Sequence, residues 1–333
     1  MNSNLHAVPA TPFTPDALRS ALPRFSFSTA MTRDALFQAY RSYYHLNFEQ
    51  QFAGLKVNAG QVRVGGFDIV MQSFRPVKAR GTVLVLHGYY DHVGIFDHLI
   101  EALLQNDFAV MTFDLPGHGL SSGVRTEIYS FHQYQPVLQK VVQLMQREMP
   151  RPWHLLGQST GGAIVSEYLL GFSGFPQRLP FASATLLAPL VRPVHWWRNR
   201  HVHTVVSRFR DFIPRKFAPS SGDAEFLQFC RHGDPLQGRF LSSKWVGALK
   251  QWIPFLERHE PLYFSMLIVQ GQQDETVDWH HNMGVLRGRF PLSDILLLPE
   301  LRHQVVNETA TLRNPVFAKV AQFLLTHTTD NPS

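Results

Sequence analysis

A serine between two glycines is the first group whose residue types and spacing suggest chemistry. Gly157, Ser159 and Gly161 form a G-x-S-x-G pattern, with an apolar run at 153–156 before it and a helical pattern at 161–170 after it. A strand, a sharp turn and a helix in this order expose the serine hydroxyl as a nucleophile. We therefore expect Ser159 to attack a carbonyl group.

A second match to the same pattern is Gly119, Ser121 and Gly123. A Pro-Gly-His-Gly loop precedes Ser121, and no helical pattern follows it. We interpret Ser121 as a loop serine, and the segment 114–125 as a structural loop beneath the site.

An activated serine needs a base, and the base needs an orienting carboxylate. The expected chain order is Ser, Asp, His, with the last two after successive late strands. Asp274 follows a predicted strand at 266–270, and His303 follows another at 295–298. Other candidates lie near the first of these loops, where a helix is predicted to begin: Glu275, Asp278, His280 and His281. We interpret those four as capping or solvated groups.

Acyl transfer also needs N–H groups that stabilise the developing oxyanion. We expect one from the backbone of Thr160, directly after the nucleophile. The other is predicted at Tyr89, in the loop that follows a strand at 82–86. His87 and Gly88 in that loop, together with the two glycines that flank Ser159, are expected to support the turn geometry.

The elements that must position these residues alternate between short apolar runs and helical patterns, which is typical of a parallel sheet covered by helices. We predict an α/β fold with a mostly parallel sheet of about eight strands and helices on both faces. The predicted organisation is an extended or mobile arm at 1–30, the first part of the core at 31–190, a lid at 191–262 and the rest of the core at 263–327.

Composition agrees with a globular protein. The chain has 333 residues, 44% of them hydrophobic and 17% charged, with one cysteine and a net charge of +6. No secretory signal or membrane-spanning run is visible, so we expect a cytoplasmic protein. Common nucleotide and zinc motifs are absent, and the pair His201 and His203 has no third ligand at useful spacing, so no metal and no cofactor are expected.

The predicted lid carries the excess positive charge. Residues 192–217 hold seven Arg or Lys against one acidic residue, Asp211, with aromatic residues between them. We predict that Trp196, Trp197, Arg198 and Arg200 face an anionic membrane. The alternative is a partly buried lid with a solvated basic rim. No nucleic acid is expected, and the sequence indicates no protein partner.

Four motifs together resemble the α/β-hydrolase superfamily, within it the monoacylglycerol lipase and lysophospholipase branch. They are H-G-Y-Y-D-H at 87–92, D-L-P-G-H-G-L-S-S-G-V-R at 114–125, G-Q-S-T-G-G at 157–162 and H-Q-V-V-N-E at 303–308. The resemblance covers about 61–325 and implies a serine hydrolase of glycerol or glycerophospholipid acyl esters, without cofactor. Gln158 and Thr160 replace the family's usual His and Met, and Tyr89 and Tyr90 its usual Ala and Gly.

Other functions fit the same residues. A short-chain carboxylesterase or an aminopeptidase would use the same fold and catalytic groups. A non-catalytic acyl- or lipid-binding protein belongs to a different class, and an intact Ser, Asp and His set argues against it.

Overall fold

A central sheet organises the protein in the computed structural model, which describes residues 13–30 and 34–328. The strands are β1 Lys56–Val64, β2 Phe67–Arg75, β3 Gly81–Leu86, β4 Phe108–Phe113, β5 Trp153–Gln158, β6 Ser183–Leu187, β7 Phe212–Pro214, β8 Phe240–Ser242, β9 Met266–Gly271 and β10 Ser293–Leu298. Within the described residues, eight strands form one sheet in the order β1-β2-β4-β3-β5-β6-β9-β10. β2 is antiparallel to both β1 and β4, and the remaining pairs are parallel.

Helices cover both faces of this sheet. They are α1 Pro15–Ala21, α2 Ala35–Tyr43, α3 Asp97–Gln105, α4 Tyr134–Glu148, α5 Thr160–Leu170, α6 Trp196–Val206, α7 Ala224–Gln228, α8 Ser243–Arg258, α9 Trp279–Arg289 and α10 Ala310–Thr326. Side chains alternate across β3, so that Val83 belongs to the apolar cluster that contains residues of α3 and α10, and Leu84 belongs to the cluster that contains residues of α4 and α5. The apolar runs are therefore buried on both faces, as expected for central parallel strands.

The structure of the N-terminal segment differs from the extended or mobile arm predicted at 1–30. Residues 1–12 lie outside the described residues, but 13–30 are not simply extended, because they contain α1. Phe13, Leu18 and Leu22 are buried, and the Phe13 ring contacts the Tyr40 ring edge-on at 5.7 Å. Apolar side chains at helical spacing give this segment a face to bury against α2.

An insertion, residues 188–265, joins β6 to β9, which are neighbours in the sheet. It contains α6, α7, α8 and the small hairpin of β7 and β8. Trp252 Nε1 on α8 donates to Glu167 on α5 at 2.8 Å. His92 Nε2 contacts Asp234 of the insertion at 2.8 Å, with both side chains fully buried. These contacts hold the insertion against the core.

Candidate active site

The turn between β5 and α5 places Ser159 in a strained backbone conformation, with φ 52° and ψ −114°. Such a conformation is uncommon for a residue other than glycine. Its flanking glycines allow the close packing of strand and helix: a Cβ on Gly157 would lie 2.5 Å from backbone atoms of Gly161. A Cβ on Gly161 would overlap the Leu86 carbonyl oxygen. The local sequence therefore builds the predicted elbow.

The three predicted catalytic side chains meet at the carboxyl ends of the strands. His303 Nε2 lies 3.0 Å from Ser159 Oγ, and His303 Nδ1 lies 2.8 Å from Asp274 Oδ2. All three residues are buried. With Nδ1 protonated and donating to the carboxylate, Nε2 is free to accept the serine proton.

Backbone N–H groups fix the Asp274 carboxylate in turn. Thr276 N and Val277 N donate to Oδ1 at 2.8 and 3.1 Å, and Gln270 Nε2 donates to Oδ2 at 3.1 Å. Burial alone would raise the pKa of Asp274, but His303 and these N–H donors hold it below its ordinary value. Burial alone would lower the pKa of His303, but the Asp274 charge raises it above its ordinary value.

The loop after β3 lies against the nucleophile. A Cβ on Gly88 would lie 3.2 Å from Ser159 Cβ and 2.7 Å from Asp91 Oδ2, so glycine permits this approach. His87 supports the loop, because its Nε2 accepts from Leu115 N at 2.9 Å and its Nδ1 lies 2.8 Å from the Gly88 carbonyl. The assignment of Tyr89 N and Thr160 N to an oxyanion hole stays a prediction.

The Tyr89 side chain has a different role from its backbone. Its hydroxyl donates to the Thr126 carbonyl at 2.8 Å and accepts from Ser242 N at 3.3 Å. Its ring stacks on Trp245 at 3.9 Å between centroids. Tyr89 thus joins the loop to the insertion, which explains how a residue bulkier than alanine fits here.

Competing residues have structural partners. Ser121 Oγ donates to the Asp114 carbonyl at 2.7 Å and accepts from Val70 N at 2.9 Å, which agrees with a loop serine. Asp278 caps α9 by accepting from His281 N at 3.3 Å. The structure thus brings neither residue into the contacts that join Ser159, His303 and Asp274.

Sequence reasoning missed a buried amide network beside these three residues. Gln158 Nε2 donates to Gln304 Oε1 at 2.8 Å, and Gln304 Nε2 donates to Asp91 Oδ1 at 2.8 Å. Asp91 Oδ2 accepts from Gly88 N at 3.2 Å. The available signal was position: Gln158 precedes the nucleophile and Gln304 follows the base.

The predicted lipid-facing residues divide into two groups. Trp196 is buried in the core at 5% exposure, so its assignment to a lipid-facing surface is wrong; as the first residue of α6 it points toward the protein body. Trp197 is 59% exposed, and the Arg200 guanidinium lies 4.2 Å from its ring centroid. Arg198 is exposed.

Comparison with known sequences identifies the family. The family model described as "Serine aminopeptidase, S33" matches residues 77–310. The chain belongs to this hydrolase family. The predicted membership of the α/β-hydrolases, on the branch that includes monoacylglycerol lipases, is confirmed. The predicted fold class, an α/β fold with a mostly parallel sheet of about eight strands, is also confirmed.

Individual relatives agree with this family. The chain is 30% identical over 280 residues to a monoacylglycerol lipase of Mycolicibacterium smegmatis, covering 78% of this chain and 91% of that protein. It is 24% identical over 284 residues to a monoglyceride lipase of Saccharomyces cerevisiae, covering 76% and 87% of the two chains. A crystal structure of a soluble variant of monoglyceride lipase from Saccharomyces cerevisiae, solved with a substrate analog, has a TM-score of 0.68 at 20% identity and covers 81% of this chain and 95% of that one.

Two kinds of feature are absent from residues 13–30 and 34–328. No helix in these ranges combines the length and apolar character needed to cross a bilayer. No group of three or more His, Cys, Asp or Glu side chains is arranged there to hold a metal ion.

Proposed function

We propose that this serine hydrolase cleaves monoacylglycerols or lysophospholipids, as its resemblance and its lipase relatives suggest. It is a carboxylic ester hydrolase, as predicted from the sequence. The observation that carries the proposal is the pair of contacts from His303 to Ser159 and to Asp274.

The geometry supports a distinct role for each of the three catalytic groups. Ser159 Oγ attacks the ester carbonyl while His303 Nε2 takes its proton. His303 then gives that proton to the leaving alcohol, which produces an acyl-enzyme on Ser159. Water, deprotonated by His303, releases the fatty acid, and Asp274 stabilises the imidazolium in both halves of the reaction.

A fluorophosphonate probe and a substrate panel test this proposal. The panel contains a monoacylglycerol, a lysophospholipid, a short p-nitrophenyl ester and an aminoacyl p-nitroanilide. We expect probe labelling at Ser159 and the highest kcat/KM on one of the two glycerolipids. Preference for the p-nitrophenyl ester over both lipids would instead identify a short-chain carboxylesterase, and absence of both labelling and turnover would favour an acyl-binding protein.

The family description makes an aminopeptidase the second candidate. Such an enzyme needs a carboxylate that binds the substrate ammonium group. Three acidic residues of the insertion are already engaged: Asp223 caps α7, Asp234 pairs with His92 and Glu257 pairs with Arg192. These contacts favour the esterase, and turnover of the anilide above that of the esters would reverse the choice.

We also propose that the insertion makes peripheral contact with an anionic membrane. The exposed apolar residues on and after α6 form what we term the α6 surface: Trp197, Val202, Val205 and Phe209, which are 59%, 54%, 59% and 81% exposed. Exposed arginines lie among them: Arg198, Arg208 and Arg210. Apolar groups that enter the interface beside cations that attract lipid phosphates are typical of membrane-surface helices.

Vesicle sedimentation tests this contact. Binding to vesicles of mixed anionic and zwitterionic lipid should exceed binding to purely zwitterionic vesicles and should weaken with salt. The double variant Trp197→Ser and Phe209→Ser should lose more activity on vesicle-borne than on soluble ester. Tyr263→Ser is the matched control, because Tyr263 is 66% exposed but directly precedes β9 and is not part of the α6 surface. Equal loss on both substrates would contradict membrane contact.

A further inference from the structure

A cavity of about 130 Å³ lies between the core and the insertion. From the core it is lined by Asp91 and Gln304, and from the insertion by Arg215 and Arg231 among others. Gln304 directly follows the catalytic His303, and Asp91 binds the backbone of the loop that lies against Ser159. Because His303 must protonate the leaving group, the leaving alcohol has to lie near the loop that carries His303 and Gln304, and this cavity adjoins that loop at Gln304.

Arg215 gives this cavity an unusual cation. Its Nη1 donates to Gln237 Oε1 at 2.6 Å and to the Gly238 carbonyl at 3.3 Å. The guanidinium lies 3.9 Å from the Tyr90 ring centroid and 4.4 Å from that of Phe217. The stacked rings fix the plane of the guanidinium, so that its remaining N–H groups are oriented in advance.

Within the described part of the chain, no carboxylate lies within ion-pair distance of Arg215 or Arg231. Arg231 Nη2 donates only to the Phe217 carbonyl, at 3.3 Å. Burial lowers the pKa of Arg215; the charge of Asp91 opposes this shift, but Asp91 is not an ion-pair partner at contact distance. An anion entering the cavity would supply that partner.

Asp91 is the one acidic residue that lines the cavity, and its carboxylate is already in use. Oδ1 accepts from Gln304 and Oδ2 from Gly88 N. Asp91 belongs to the core side, next to the catalytic loop, whereas both arginines belong to the insertion. The cavity therefore has an acidic side chain on the core side and two basic side chains on the insertion side.

We propose that Arg215 and Arg231 form an anion subsite that binds a phosphate on the leaving alcohol of the acyl ester. This inference rests on the proposed ester hydrolysis and narrows its substrate class to esters of a phosphorylated alcohol. The guanidinium of Arg215 donates to the phosphate oxygens, Arg231 adds a second charge at the open side, and the ester bond lies toward Ser159. Charge-assisted bonds between guanidinium and phosphate give this recognition its strength.

Three esters with the same octanoyl chain test the subsite: monoacylglycerol, its 3-phosphate and the corresponding phosphocholine. We expect kcat/KM to be about tenfold or more higher for the 3-phosphate than for the neutral ester. Arg215→Gln should remove that ratio, Arg215→Lys should keep part of it, and Arg231→Gln, at an exposed position, should reduce it. Arg258→Gln is the control, because Arg258 is exposed on the insertion and does not line the cavity.

Inorganic phosphate serves as the probe of a free anion. Competitive inhibition of 3-phosphate turnover in the wild type, weaker in Arg215→Gln, is the expected result. A ratio near one in the wild type, or a ratio unchanged in both Arg215→Gln and Arg231→Gln, would overturn the subsite. Inhibition by phosphate without any substrate preference would also overturn it, since it would indicate a site for free phosphate. If the wild type hydrolyses none of the three lipids or the p-nitrophenyl ester, the proposed function itself fails.

Discussion

Gln158 and Gln304, 146 residues apart in the chain, share a 2.8 Å hydrogen bond. One precedes the nucleophile and the other follows the base. Val306 N also donates to Gln158 Oε1, at 3.2 Å. The bond therefore connects the backbone of the elbow to the backbone of the histidine loop, independently of the contact between Ser159 and His303.

Gln304→Ala is expected to lower kcat/KM about tenfold by misplacing His303 and the loop at Gly88, because small displacements of reacting groups are costly. It also leaves Gln158 Nε2 and Asp91 Oδ1 without their buried partner, at about 1–3 kcal/mol of unfolding free energy. Steady-state kinetics and urea unfolding measure the two effects. Gln251→Ala, at an exposed position on α8, is the control, and equal kinetics in both variants would contradict the positioning role.

Ser159→Ala should abolish probe labelling and reduce hydrolysis by several orders of magnitude. Ser121→Ala should keep labelling, although it loses bonds to Val70 N and the Asp114 carbonyl and should be about 1–3 kcal/mol less stable. Asp274→Asn should reduce kcat less than replacement of His303 does, since Asp274 orients the base without touching the substrate. Labelling that survives in Ser159→Ala would identify another nucleophile.

Catalysis should increase with pH through the pKa of His303. The neutral imidazole accepts the serine proton, and the Asp274 charge raises this pKa above its ordinary value. The midpoint of the acidic limb of kcat/KM on a soluble ester should therefore lie above about 6.5. The rate of fluorophosphonate labelling should follow the same curve. A midpoint well below 6.5 would show that Asp274 does not stabilise the imidazolium in the free enzyme.

Tyr89→Phe is expected to keep most of kcat, because the proposed oxyanion donor is the backbone N–H. The lost phenol bonds to the Thr126 carbonyl and Ser242 N should lower stability by about 1 kcal/mol. Thermal unfolding and kinetics on one soluble ester separate these effects. A large loss of kcat with intact folding would assign the phenol itself to catalysis.

The His92 and Asp234 pair should contribute to stability in a pH-dependent way. Burial alone lowers the pKa of His92 and raises that of Asp234, but their mutual attraction raises the first and lowers the second overall. The contribution of His92 is complete below about pH 6.5 and is lost as the pH rises through its raised pKa, and that of Asp234 is complete above about pH 4.

Asp234→Ala should accordingly lower the unfolding free energy by about 3–5 kcal/mol at pH 6 and by less at pH 9. Urea unfolding at the two pH values measures this difference. Asp211→Ala, at an exposed position on the same insertion, should change stability by less than about 0.5 kcal/mol. A loss for Asp234→Ala that does not depend on pH would show that the pair is not charged in the folded protein.

The sequence by itself determined the features that depend on neighbouring residues. Glycines are needed around Ser159 because the backbones of β5 and α5 lie too close together for a Cβ atom. This requirement can be read from the five consecutive residues of the G-x-S-x-G pattern. Asp274 and His303 could be found because parallel strands end at one edge of the sheet, which brings together the loops that follow them. Strand and helix positions followed from apolar patterning for the same local reason.

Tertiary structure alone decided which side chains from distant segments meet. Trp196 and Trp197 are the same residue type and are adjacent in the chain. Trp196 is nevertheless 5% exposed and Trp197 59% exposed, because packing against the core sets the orientation of α6. Gln158 and Gln304 become partners only when two loops converge. Arg215 belongs to a segment that looked like a basic lid surface, and the fold of the insertion places its side chain in a cavity that is also lined by Gln304, the residue after the catalytic histidine.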